Sequence, residues 1–291
     1  MTTIDEISRA VGSVAKGAGA SVVGVAGRRS QGSGVVSAPG RVLTNAHNLL
    51  ADEVTVTFSD GRRAVGKPIG VDADGDVAVL EVDTGDAPVA GWGSADVGIG
   101  APVFGVANPG GRGLRVTFGL VSGTQRSFRG PRGRRIAGSI EHTAPLLPGS
   151  SGGPITDADG KIVGINTHRL GEGFYLAIPA DAALRERVEG LSRGESPKRV
   201  RLGVALAPPQ VARQLRRAVG LPEVDGLLVR GVEDDSAAAK AGLREGDVLI
   251  EAGGRALAST DDLFAALESA DGALSIRFVR GVDEQSTEVT F

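Results

Sequence analysis

There is no cysteine in the 291 residues, so disulfides and thiol chemistry are excluded at once. Their absence says little about compartment, because a cysteine-free chain works in either redox state. Aromatic residues make up only 3% of the chain while glycine occurs 45 times, so many tight turns and cores of Val, Leu, Ile and Ala are expected. The net charge is −3, which gives no global pull toward nucleic acid or an anionic membrane. No run is long and apolar enough to span a bilayer. The first residues, "MTTIDEISRAVGS", bring in Asp5 and Glu6 early and do not read as a targeting signal. A cytoplasmic location is the expectation, with the cell envelope as the alternative for a truncated N-terminus.

What the chain does contain is 41% hydrophobic and 23% charged residues over a length of about two domains. "TIDE" predicts a capping box with Thr3 as N-cap and Glu6 three residues on, opening a helix with Ile4, Ile7, Val11 and Val14 on one face. From Ser21 short runs rich in Val and Ile ("SVVGVAG", "EVTVTF", "VAVLEV", "KIVGINT") alternate with Gly, Pro and Asp turns. That texture predicts a closed or sandwiched antiparallel β-structure. "PADAALRERVEGL" returns to helical spacing, with Leu184, Val188 and Leu191 on one side. The polar stretch around "SRGESPKRVR" predicts a linker over 191–200, dividing a first domain, 1–190, from a smaller α+β unit, 201–291. In that unit Ser236 predicts a cap for "SAAAKAG", and Ser259 with Asp262 a capping box for "STDDLFAALESA".

"PGSSGGP", residues 148–154, raises a chemical question, since glycines around serines let backbone approach a substrate carbonyl closely. Acyl transfer by serine needs a base, a group holding that base in the right tautomer, and donors facing the oxyanion. There are three histidines, and His47 in "VLTNAHNLL" lies where a strand ends and a helical turn begins. "DADGDVAVLEV" offers Asp72, Asp74 and Asp76; Asp76 immediately precedes an apolar run, from which a carboxylate can enter a barrel interior and pair with an imidazole N–H. The turn can aim the N–H groups of Gly149 and Ser151 at one point, with Ser150 between them turned away. His142 and His168 read as surface or structural residues, with no metal assigned.

"TNAH", "DVAVL" and "GSSGGP", in that order, resemble the His, Asp and Ser motifs of the HtrA/Deg family of chymotrypsin-like serine proteases. The resemblance covers nearly the whole chain, and it implies a mainly β protein: a double β-barrel followed by a small α+β PDZ domain. It makes His47 the general base, Asp76 its orienting acid and Ser151 the nucleophile, with the N–H groups of Gly149 and Ser151 as the oxyanion hole. It implies hydrolysis of unfolded or misfolded proteins without cofactor or metal. "RLGV" and "AAKAGLREGDVLIEAGG" resemble the PDZ module, in which the N–H groups of Leu202, Gly203 and Val204 would hold a peptide C-terminal carboxylate. Leu263 and Leu267 are candidates for its side-chain pocket, the alternative being that they are core.

Several features depart from the family pattern. Thr143 stands where relatives carry an aspartate before the nucleophile loop, and Ser150 where many carry asparagine. Arg126, Arg129, Arg132, Arg134 and Arg135 lie in "RSFRGPRGRR", where the resemblance places a regulatory loop; a solvated loop is the plainer reading. Phe174, Leu176 and Ile178 suggest small or medium apolar side chains at the cleavage site. The trimer contacts of relatives are aromatic and N-terminal, whereas the first aromatic here is Phe58, so a homo-oligomer is allowed but a trimer is not supported. The competing function is a non-proteolytic, chaperone-like peptide binder whose catalytic loop is unassembled. A PDZ scaffold with a dead barrel would predict a lost triad member, and none is lost.

Overall fold

The computed structural model describes residues 2–130, 135–197 and 200–291. The chain divides into two compact units, 1–197 and 198–291. Arg132 and Arg134 of the basic stretch lie outside the described residues.

The first unit opens on helix α1 (Thr3–Lys16). Its cap sits one residue earlier than "TIDE" suggested: Thr2 is extended and accepts from the Asp5 N–H, while the Asp5 carboxylate accepts from the Thr2 N–H at 2.8 Å. Two consecutive threonines allow either register, and Asp5 is short enough to close the earlier one. Ile4, in the first turn, is exposed, whereas Val14, near the other end of the same face, is buried in the core.

Six strands follow: β1 (Val22–Ala26), β2 (Gln31–Ala38), β3 (Arg41–Thr44), β4 (Val54–Thr57), β5 (Arg63–Asp72) and β6 (Val77–Glu81). They close into an antiparallel barrel in the order β1-β2-β3-β6-β5-β4. Six more form the second barrel: β7 (Pro102–Ala107), β8 (Arg115–Arg129), β9 (Arg135–His142), β10 (Pro154–Thr156), β11 (Ile162–Arg169) and β12 (Tyr175–Pro179). Closure removes the unpaired edges that short Val-rich strands would otherwise expose. Helix α2 (Ala182–Ser192) is capped by Asp181 and buries Leu184, Val188 and Leu191, the face its spacing predicts. It continues into the span read as linker.

One core cluster joins residues of α1, both barrels and α2, including Val14, Val22, Leu43, Val79, Phe104, Ile165 and Leu191. The two barrels therefore share an interior, and the loops meeting along their seam are held on rigid supports.

The second unit is a sheet ordered β13 (Val204–Ala207), β14 (Leu227–Val232), β15 (Val248–Ala252), β17 (Ala273–Arg280), β18 (Asp283–Thr290), with β16 (Arg255–Ala256) beside β15. Its helices are α3 (Pro209–Ala218), α4 (Ala237–Lys240) and α5 (Thr260–Glu268). Ser236 caps α4, and Ser259 and Asp262 form the expected capping box on α5.

Candidate active site

His47 lies in a single 3₁₀ turn, Ala46–Asn48, directly after β3. Asp76 lies one residue before β6, and β3 and β6 are neighbours in the first barrel. Adjacent strands thus bring two residues 29 positions apart into contact. Both Asp76 carboxylate oxygens stand 2.9 Å from His47 Nδ1, and Oδ1 also accepts the His47 backbone N–H at 3.1 Å.

Asp76 is almost fully buried, and its backbone takes a left-handed conformation (φ 56°) that few non-glycine residues adopt. Its hydrogen bonds offset both costs. Asn45 donates its side-chain amide to the Asp76 carbonyl at 2.8 Å, and Thr167 on β11 donates its hydroxyl to Oδ2 at 2.5 Å. A carboxylate so held accepts the imidazole Nδ1–H, leaving Nε2 to act as a base. The neighbouring acids have other work. Asp72 accepts the Asp74 and Gly75 N–H groups, shaping the turn before Asp76, and pairs with Arg187 at 3.3 Å.

Ser151 lies in the loop between β9 and β10. Its hydroxyl donates to the Thr167 carbonyl at 3.0 Å. A hydroxyl carries one proton, so engaging His47 requires rotation about the Ser151 side chain. The loop around it is tied on both sides. From the first barrel, Ser33 donates its N–H to the Ser151 carbonyl at 2.8 Å and its hydroxyl to the Gly149 carbonyl at 2.9 Å. From β11, the Asn166 carbonyl accepts the Gly152 N–H at 2.8 Å, while the Asn166 N–H and side-chain amide both donate to the Gly153 carbonyl. Gly152 has φ 89°, and a Cβ there would stand 2.1 Å from the Ser33 carbonyl oxygen, so only glycine fits this crossing. Among the described residues no acceptor takes the N–H of Gly149 or Ser151. Ser150 between them is buried.

His142, read from sequence as surface or structural, is fully buried. Its Nε2 stands 3.0 Å from Asn166 Oδ1, so the imidazole donates there and orients the amide that grips Gly153. Its Nδ1 has no hydrogen-bond partner among the described residues, and the ring lies against Tyr175. Burial holds its pKa down at about 4, keeping the ring neutral. His168 is exposed and stacks on Phe128, 5.4 Å between ring centres. Thr143 is bonded to Leu120 on β8 in both directions: its N–H donates to the Leu120 carbonyl and its hydroxyl accepts the Leu120 N–H, each at 3.0 Å.

A cleft of about 520 Å³ opens beside His47, walled by Leu49, Leu50, Pro68, Val71 and Ala73, with Asp52 on it. Of the residues read as an apolar cleavage-site pocket, Phe174 is exposed, Leu176 is fully buried, and Ile178 packs into the shared barrel core. Ile178 is thus occupied in holding the fold.

In the second unit, β13 pairs only with β14 among the described strands, leaving its other edge open. The carbonyls of Leu202 and Gly203 accept from Ala238 and Glu233, whereas no described acceptor takes their N–H groups. Leu202, Leu263 and Leu267 all pack into one core cluster. Both helix leucines are therefore core.

Two closed barrels with a His–Asp pair facing a serine loop along their seam define a trypsin-like peptidase fold. The family model for a trypsin-like peptidase domain matches residues 32–165, and that for a PDZ domain matches residues 228–280. The chain thus pairs a trypsin-like peptidase domain with a PDZ domain, and the proteins it is similar to are DegP-like and HtrA-type serine proteases. It is 36% identical over 244 residues to a DegP-like periplasmic serine endoprotease of Halomonas elongata, covering 81% of this chain and 50% of the relative. It is 34% identical over 250 residues to the serine protease HhoB of Synechocystis, covering 81% and 60%. Among solved structures, the HtrA-type protease AlgW with a decapeptide matches with TM-score 0.70 and 26% identity, covering 96% of this chain and 97% of that one. A serine endoprotease from Yersinia pestis matches with TM-score 0.67 and 26% identity, covering 96% of each. The chain spans about half the length of the DegP-like relatives it matches.

The relatives also correct the expected location. Several are periplasmic, which points to the periplasm or cell envelope and overturns the cytoplasmic reading. That reading rested on the first residues, which form a folded helix packed on the core. No described helix is long and apolar enough to cross a membrane.

Proposed function

We propose that this chain is a serine endopeptidase acting through an acyl-enzyme on Ser151. The observation that carries the reading is the buried, triply bonded Asp76 carboxylate holding His47 Nδ1 across the seam from Ser151. His47 Nε2 takes the Ser151 proton as Oγ attacks the scissile carbonyl, and then donates it to the leaving amine. Asp76 keeps the tautomer and stabilises the imidazolium. The N–H groups of Gly149 and Ser151 receive the oxyanion, where preorganised donors act without reorientation cost. The loop's hydrogen bonds to both barrels argue against an unassembled, chaperone-only site.

Substrates are extended segments of unfolded protein. Chain in that state can lie along the seam as a strand and place a side chain in the cleft beside His47. The open edge of β13 accepts a peptide C-terminus as an added strand, its carboxylate held by the N–H groups of Leu202, Gly203 and Val204.

Fluorophosphonate labelling with peptide mapping tests the reading. One adduct on Ser151 is expected, lost together with casein hydrolysis in Ser151→Ala and kept in Ser150→Ala. A folded protein that takes no adduct would refute it.

A further inference from the structure

We infer that Asn48, the residue next to the candidate base, is a positioning residue that sets the spacing between base and nucleophile. The inference rests on the peptidase reading of the same site. Asn48 is buried, and its amide Nδ2 lies 3.0 Å from the Ser151 carbonyl oxygen and 3.0 Å from Thr44 Oγ1. The amide orientation follows from its partners. The Ser151 carbonyl can only accept, and Thr44 has already given its hydroxyl proton to the Ser33 carbonyl at 2.7 Å. Both N–H bonds of Asn48 are therefore used, one within its own barrel and one on the nucleophile's own peptide.

The strut is short and stiff. Asn48 ends the same 3₁₀ turn that holds His47, and its backbone carbonyl is fixed by the Ser30 hydroxyl at 2.8 Å. The side chain also lies flat on Gly32, where a Cβ would come within 2.3 Å of the amide. Movement of the histidine turn relative to Ser151 must break or bend this contact.

The consequence is kinetic. The Ser151 hydroxyl reaches His47 by rotating from the Thr167 carbonyl about its own side-chain bond. The distance at which it arrives is set by the Ser151 backbone relative to the Ala46–Asn48 turn. Proton transfer needs heavy atoms within hydrogen-bond reach, and misplacement by about 1 Å costs on the order of a hundred-fold in rate. Ser33 holds the same carbonyl, but through β2, so among the described residues Asn48 alone bonds it from the turn that holds the base.

Asn48→Leu keeps the volume and removes the donor; Asn48→Asp keeps the shape and turns an acceptor toward an acceptor. Both are measured with a peptide substrate and with fluorophosphonate, beside a first-barrel core variant, Val56→Ala, as a control for lost stability alone. Hydrogen exchange of the peptide covering 147–156 is followed in each. For Asn48→Leu we expect kcat and the labelling rate to fall about ten- to a hundred-fold with KM within two-fold of the parent. Asn48→Asp should fall at least as far, and loop exchange should rise in both but not in Val56→Ala. Parental labelling and exchange in Asn48→Leu would overturn the inference, as would an equal kcat loss in Val56→Ala. A parent that never labels refutes the peptidase reading instead; loop exchange then decides the strut alone, faster exchange in Asn48→Leu upholding it and unchanged exchange overturning it.

Discussion

Thr167 serves two members of the site at once. Its hydroxyl donates to Asp76 Oδ2, and its carbonyl accepts from the Ser151 hydroxyl. A hydrogen bond to a charged, buried carboxylate is worth about 1.5–3 kcal/mol, so Thr167→Val should lower kcat roughly ten-fold or more while leaving KM near parental. Steady-state kinetics on a peptide substrate would show it. His142 acts one step further back, and its effect is on stability. Unfolded, the imidazole titrates near 6.5; folded, it stays neutral down to about 4. Between these values the unfolded state binds more protons, so this residue's contribution to stability falls as pH drops from 6.5 to 4 and is level below. The full difference is on the order of 3 kcal/mol. His142→Gln, which can still donate to Asn166, should flatten that limb, read as the change in urea midpoint between pH 7 and pH 4.5.

At the scale of elements, the loop from Gly149 to Gly153 is shaped by what crosses it. A side chain at Gly152 would meet the Ser33 carbonyl at 2.1 Å in a backbone conformation unfavourable to L-residues. Gly152→Ala should therefore abolish labelling of Ser151 while the barrels, whose cores lie elsewhere, keep their far-ultraviolet spectrum. Helix α5 offers a milder case. Its capping box between Ser259 and Asp262 ties the first turn, and Ser259→Ala should cost about 1 kcal/mol of stability in the second unit. Chemical denaturation of residues 200–291 would measure it. The caps also illustrate how far local sequence reaches. Ser259–Asp262 was legible because one pattern fits one register, whereas Thr2 and Thr3 offered two, and side-chain length chose between them. The strands were legible from their Val-rich runs and turn residues. The burial of His142 was not, because Asn166 on β11, which bonds its Nε2, and Tyr175 on β12, which lies against its ring, come from far along the chain.

For the whole molecule, the second unit encloses its own core of Leu202, Leu227, Val229, Leu249, Ile276, Phe278 and Val289 with α5. That is enough apolar burial for a unit of its length to fold alone. Expressed as 200–291, it should unfold in one cooperative transition and bind peptides with a free C-terminal carboxylate more tightly than their amidated forms. Calorimetry and titration of such a peptide pair would check both.

The candidate groups of the site could be picked out from order and residue type alone. His47 and Asp76 stand beside strand segments, and Ser151 stands among glycines that a close backbone approach demands. These are local requirements, and local sequence carries them. What holds the three together belongs to the fold: Ser33 and Asn48 reach the serine loop from one barrel, Asn166 and Thr167 from the other. No spacing announces such residues, since their partners are 13 to 118 positions away and only barrel closure brings them within hydrogen-bond reach. The sequence by itself determined which groups could react. The packing of two barrels on a shared core decided where each stands.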